Sequence, residues 1–302
     1  MVTIKIIRFF SILVVAFCFC NAKSGNSDST ETILALRPPD PKPNCFIKNE
    51  TSSIIKGIWV TTSDSRYWGE NCLSSEIATG KTKGIYESTP LNNKYKFDIL
   101  LRTSSNLKEG VAYLKKGYQI AHLDTLRFTD DDLTVFGKTG PAGGLIFYDK
   151  ENYEDGWRYL EVAPVKTEFS AEWGIRDIFV SQSSREIGAG KENTLIIKTL
   201  CDERGEKNTA SQICLSQNIN DYKDWFLPSI YELRLIYRYL HCFGLGDFGK
   251  SSDQQSWYWS STQHGYSFPN AWAMNFGQLS GTHSGFDLSE RPVFRVRSIR
   301  SF

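Results

Sequence analysis

The chain has 302 residues, room for two domains, and its 40% hydrophobic and 23% charged content is that of a globular protein able to bury a core. A formal net charge of +1 excludes a global field that would draw it to nucleic acid or to an anionic membrane. Aromatic residues reach 14%, and six of the eight tryptophans follow residue 150, a payload that supplies burial to a loop-rich domain.

Residues 1–22 read as a secretory leader. Lys5 and Arg8 form a short basic region, Phe9–Phe19 is an apolar run too short for a bilayer anchor, and Cys20, Asn21 and Ala22 offer small residues for cleavage. The alternative is a lipoprotein leader with Cys18 or Cys20 acylated, although each follows a Phe where a small residue is usual. No later run is apolar enough to span a membrane, so the expected chain is exported and at most lipid-tethered. Export places Cys45, Cys72, Cys201, Cys214 and Cys242 in an oxidising compartment. There Cys45 and Cys72 can close a loop, and two of the other three can pair. No CxxC and no histidine at ligand spacing accompanies them, so no metal or other cofactor is expected.

Residues 23–44 are polar, then proline-rich (Pro38, Pro39, Pro41, Pro43), which favours an extended spacer or a disordered remnant of the leader. Residues 45–137 are expected to be all-β. Short β-branched or aromatic runs at 58–62, 84–87, 95–102, 110–115, 118–128 and 133–136 are separated by polar and glycine turns. The period-two pattern of Tyr95–Ile99 predicts one apolar and one polar face, and the series predicts an antiparallel meander closing into a barrel or sandwich. Asp130–Asp132 lacks the spaced ligands of an EF-hand and reads as a solvated turn.

Glycine and proline at 138–144 punctuate the chain and open a second domain, 138–302. Leu145–Tyr148 and Trp157–Val162 predict a hairpin, and Glu192–Cys201 has helical spacing. The strongest helix signal begins at Ser229. That serine and Glu232 form a capping box, Leu233, Ile236, Tyr237 and Leu240 share one side, and Gly244 is placed to end it. This helix is expected to close on the strands WYWSSTQ, NAWAMNFGQ and FRVRSIRSF. Trp257 and Trp259 then point to one face and Tyr258 to the other, as core or as a stacking platform for sugar rings.

No catalytic constellation emerges. Gly188-Ala189-Gly190-Lys191 lacks the first glycine and the trailing Ser or Thr of a phosphate loop, no GxSxG is present, and the four histidines stand apart from one another. The loops His264–Asn270 and Gly277–Glu290 lie between rigid strands and are rich in Gly, Ser, His and Asn. The candidate ligand-binding residues are therefore His264, Tyr266, Asn270, Asn275, Gln278, His283 and Asp287. Arg295 joins them as one of an arginine pair, with Arg297, able to meet an acidic group or an internal carboxylate.

The ordered run GPAGG, DGWRYLEVAP, GAGKENT, DWFLPSIYEL, YWSSTQ, AWAMNF and FRVRSIRSF resembles the C-terminal domain family of the Legionella collagen-like adhesin, a domain found in exported spirochaete proteins. The family is similar to C-type-lectin-like folds and more distantly to the sulfatase-modifying-factor fold. The resemblance covers residues 138–302 and implies an α+β domain whose two ends meet in one sheet, with long loops along an edge. Trp225, Pro228, Glu232, Trp259, Ser260, Ser261, Trp272, Arg297 and Arg300 match the shared pattern, and their implied roles are structural. The calcium-coordinating lectin motifs are absent beyond a half match at Phe268-Pro269-Asn270, and the catalytic cysteine pair of formylglycine-generating enzymes has no counterpart. The expected function is an exported, non-enzymatic binding or adhesin-type protein that meets a glycan, a matrix protein or an envelope component. A cell-envelope enzyme acting on carbohydrate or peptide and a structural envelope protein are the alternatives.

Overall fold

The computed structural model describes residues 43–86, 94–176, 178–180, 183–249, 256–264, 269–277 and 281–302. The segments expected to be a leader and most of the expected spacer, together with Tyr266 and Gln278, lie outside the described residues. The architecture is mixed α+β, with mostly sheet and three α-helices among the described residues.

The first half forms two three-stranded sheets. β1 (Cys45–Asn49) lies between β3 (Thr82–Ile85) and β6 (Thr125–Phe128), while β4 (Lys96–Arg102) lies between β2 (Gly57–Thr62) and β5 (Ala112–Gln119). The sheets enclose a core of Ile47, Ile58, Ile85, Phe97, Ile99, Leu101 and Phe128, the sandwich form of the expectation. The order is not the expected meander: only β4 and β5 pair as sequence neighbours, β1-β3 and β2-β4 skip a strand, and β1 and β6 run parallel. The run 133–136 forms no strand and contributes only a bridge from Leu133 to Tyr113. Asp130–Asp132 is a single 3-10 turn capped by the Thr129 side chain. Gly117 does not end β5. Its φ of +69° forms a bulge opposite Asp98, whose carboxylate accepts the Gly117 N–H at 2.9 Å.

The polar face expected on β4 is buried. Phe97, Ile99 and Leu101 face the sandwich core, whereas Leu100 faces a second core shared with Tyr239 and Phe243 of the other half. Asp98 on that face is 3% exposed and pairs with Arg238 at 2.8 Å. The same carboxylate accepts from Ser63 Oγ and Tyr239 Oη, and Arg238 donates to the carbonyls of Ser63 and Ser65. Trp68 closes the arrangement, with the guanidinium 4.7 Å from its ring centre and its indole N–H donated to the Arg238 carbonyl. The two halves are thus joined by a buried ion pair inside an aromatic core.

In the second half, β7 (Leu145–Asp149) and β8 (Tyr159–Val162) form the expected hairpin, and β14 (Ile299–Ser301) adds to β8. Both ends of residues 138–302 therefore meet in one sheet. A second sheet has the order β12-β11-β10-β13-β9, built from His283–Asp287, Asn270–Asn275, Trp257–Gln263, Val293–Val296 and Phe169–Glu172. The closing run FRVRSIRSF turns a corner after Val296, so its two strands enter different sheets. Helices α1 (Gly190–Glu203) and α2 (Ala210–Ser216) cover one core with Trp259. Helix α3 (Ile230–Ile236) covers the other with Tyr258, so the expected split of the WYW triplet is observed.

The Ser229–Glu232 capping box is present, and Leu233, Ile236, Tyr237 and Leu240 all reach the core. The helix widens into a π-helical turn at Tyr237–His241 before Gly244 ends it at φ +71°. The change of phase turns Tyr237 and Leu240 toward one core and Arg238 and Tyr239 toward the junction.

Candidate functional site

The motifs behind the family resemblance are engaged in the structure. Glu161 is fully buried and accepts the N–H groups of Ala142 and Gly144. A Cβ on Gly144 would stand 2.1 Å from the Val162 carbonyl oxygen, so the glycine-rich turn closes directly on β8. Arg300 grips Asp224 through two hydrogen bonds of 2.8 and 3.0 Å. The serines of YWSSTQ sit in a bulge of β10, where Ser260 Oγ donates to the Trp272 carbonyl and Ser261 Oγ accepts from Asn193. Trp259 is buried and donates to the Ala171 carbonyl, while Trp257 packs on Phe286 and Phe294. The paired indoles of β10 are core, not a platform.

Gly188-Ala189-Gly190 does hold an anion, but an internal one. Glu232 Oε1 accepts the Gly188 N–H at 2.8 Å, and its Oε2 accepts the Ser229 N–H at 2.6 Å. A Cβ on Gly190 would come within 2.3 Å of Oε2, which explains why glycine begins α1. Burial pushes this carboxyl up to about 7, against the opposing pull of the backbone N–H groups of Ser229, Gly188 and Gly190.

The candidate residues separate into three groups. Asn275 is fully buried and caps the Gly277 N–H at 2.8 Å, so it shapes the end of β11 rather than a rim. Arg295 lies 2.5 Å from Glu168, which also receives Arg297 at 2.6 Å, so the pair meets an internal carboxylate. Asp287 opposes Asn270 in register and caps Ser289 at an exposed turn.

His264 and His283 are brought together around Trp272. The His264 ring stacks on the indole at 4.4 Å, and the His283 ring lies 5.0 Å from it. Gly285, opposite Trp272 in register, leaves that room, since a Cβ there would stand 2.8 Å from His264. Three arginines from remote parts of the chain surround the cluster. Arg185 lies 5.7 Å over the Trp272 ring, Arg66 donates to the Gly281 carbonyl at 3.2 Å, and Arg234 on α3 donates to the Asp64 carbonyl at 2.7 Å. Among the described residues none of the three has a carboxylate at salt-bridge distance, whereas Arg238, Arg297 and Arg300 all do. Burial, followed by Arg66, Arg234 and Arg185, pushes the His283 imidazole down to about 4, so it is neutral at pH 7. Its Nδ1 and the Trp272 Nε1 are shielded and form no hydrogen bond with the described residues.

The result is a half-buried rim with excess positive charge, two orphaned polar atoms and aromatic walls. Such a surface offers positive charge and guanidinium donors of the kind that suit an acceptor-rich anion. The arginines carried no sequence signal, because residues 66, 185 and 234 share no spacing and meet only through the fold. No group of three or more His, Cys, Asp or Glu side chains suited to a metal occurs among the described residues, and the five cysteines there form no disulfide. Compared with protein-family models, curated proteins and solved structures, the chain shows no match in any of the three.

Proposed function

We propose that this chain is an exported, non-enzymatic binding protein of the adhesin type, whose C-terminal half is a C-type-lectin-like module, and that its rim takes an acidic glycan. The single observation that carries the ligand class is the convergence of Arg66, Arg185 and Arg234 on a neutral His283, with no carboxylate at salt-bridge distance from any of the three among the described residues and Asp64 acting on Arg234 only from farther away. The meeting of both ends of residues 138–302 in the sheet β14-β8-β7, with the α3 helix packed behind the β10 strand, supports the lectin-like reading. Three carboxylates that an enzyme could have used are engaged in holding the fold: the buried Glu161 on a backbone turn, the half-buried Glu168 on two arginines and the buried Glu232 on two helix starts. Guanidinium groups meet sulfate and carboxylate in planar, two-point geometry, and the aromatic walls offer an apolar face to the ring between them.

The test uses an immobilised sulfated glycosaminoglycan, its desulfated counterpart and polyglutamate. The chain should be retained by the sulfated glycan in a salt-sensitive way, and Arg66→Gln/Arg185→Gln/Arg234→Gln should weaken retention by about tenfold or more. No retention, or equal retention of the variant, defeats the reading. Preference for polyglutamate would transfer the rim to an acidic polypeptide.

A further inference from the structure

A second positive site lies at the junction of the two halves, remote in sequence from the rim. A cleft of about 340 Å³ opens there, lined by Arg102, Lys108 and Lys138 and walled by Leu133, Phe136 and Phe243. No acidic side chain lines it among the described residues. Four arginines are buried among the described residues, namely Arg102, Arg238, Arg297 and Arg300. The last three each meet a carboxylate at 2.8 Å or less.

Arg102 is the exception. It is 5% exposed, its guanidinium lies 4.2 Å over the Phe243 ring, and Nη1 donates to the carbonyls of Glu109 and Gly110. Its Nε is shielded and has no partner among the described residues. The Glu109 carboxylate turns away, to Ser104 and Asn106. Removing a charge from water without a counter-ion is costly, and burial alone pushes this guanidinium down to about 10, still charged at pH 7.

The charges of Lys108 and Lys138 add to that of Arg102 and have no carboxylate at salt-bridge distance among the described residues, so the cleft concentrates positive potential against an apolar wall. An inorganic anion would satisfy the charges but leave the apolar wall wet, and a neutral apolar ligand would do the reverse. We propose that this cleft binds a small organic acid, a carboxylate carried on a compact aromatic or branched aliphatic body, with the acid group among Arg102, Lys108 and Lys138 and the body against Phe136 and Phe243. The volume suits a ligand at the small end of the range for such sites.

Calorimetric titration of the purified full chain with benzoate, benzamide and inorganic phosphate tests this. Benzoate should bind saturably below about 10 mM, with benzamide and phosphate each at least about tenfold weaker. Arg102→Met risks misfolding, so the informative variant is Lys108→Gln/Lys138→Gln, which leaves the core intact and should weaken benzoate by about fivefold or more. Absence of saturable benzoate binding, equal binding of benzamide, or an unchanged affinity in the double variant overturns the proposal. Retained benzoate binding in Arg66→Gln/Arg185→Gln/Arg234→Gln is also expected, and its loss would place the ligand at the rim instead.

Discussion

Glu232 serves two helix starts at once, and only one of those roles was legible in the sequence. Its capping box with Ser229 spans three residues, a distance over which local chemistry decides the outcome. Its bond to Gly188 spans forty-four, so the Gly-Ala-Gly-Lys stretch looked like half of a phosphate loop until the fold supplied the carboxylate. The folded-state value of this acid is raised, so the folded chain holds the proton more tightly than the unfolded one. The corresponding stability is fully present below the ordinary carboxyl range and is lost as the pH rises through about 7. Denaturant titrations across that window should show the wild type losing on the order of 3 kcal/mol relative to Glu232→Gln. Parallel profiles for the two proteins would mean that the backbone donors, not burial, govern the group. The rim arginines illustrate the opposite limit of legibility. His264 and His283 could be singled out from segments expected to be loops, although His283 opens strand β12, but Arg66, Arg185 and Arg234 acquire meaning only as neighbours in space.

Strand β4 and the helix ending in Tyr237–His241 show what period alone conveys about an element. The run at 95–102 is a strand from Lys96, and the alternation of Tyr95–Ile99 correctly separates Phe97 and Ile99 from Asp98, although Tyr95 stays exposed and Leu100 lies outside the pattern. The pattern does not say that the second face is buried, because polar residues at alternate positions ordinarily face water. Here Asp98 is taken inside by Arg238, on a helix more than a hundred residues away. Asp98→Ala leaves Arg238 buried without its carboxylate and should cost about 3–5 kcal/mol, read from the midpoint of urea unfolding. A loss below about 1 kcal/mol would show that the carbonyls of Ser63 and Ser65 suffice to hold the charge. The same reasoning explains why Tyr118 and Gln119, expected to open the 118–128 run, belong instead to β5, leaving Thr125–Phe128 as β6. A glycine at positive φ is usually a stop, yet opposite Asp98 it is a bulge within a continuing strand.

The molecule as a whole divides by composition more cleanly than by packing. Glycine and proline at 138–144 look like a boundary, but Trp59, Trp68 and Leu100 from one half share a core with Tyr239 and Phe243 from the other. Calorimetry of the full chain should therefore show one cooperative transition. Residues 138–302 made alone should melt well below it, by about 5 °C or more, because Tyr239, Phe243 and Arg238 lose their cover. An isolated second half as heat-resistant as the full chain would contradict the shared core. The hairpin, the capped helix and the split of the tryptophan triplet were readable because each depends on a local period or cap, whereas the α+β class came as what the resemblance implies. The junction was not, since partners such as Asp98 and Tyr239 lie 141 residues apart and no window of the chain contains both.

The buried pair of Asp98 and Arg238 also limits how this gene can be rearranged. A crossover within the glycine-rich segment would graft one half onto an unrelated partner and leave a stranded cation among bare aromatic rings, a surface inclined to clump. Shuffling of such modules thus has to transfer both halves together, and the join that looks most convenient for cutting is the one least suited to it.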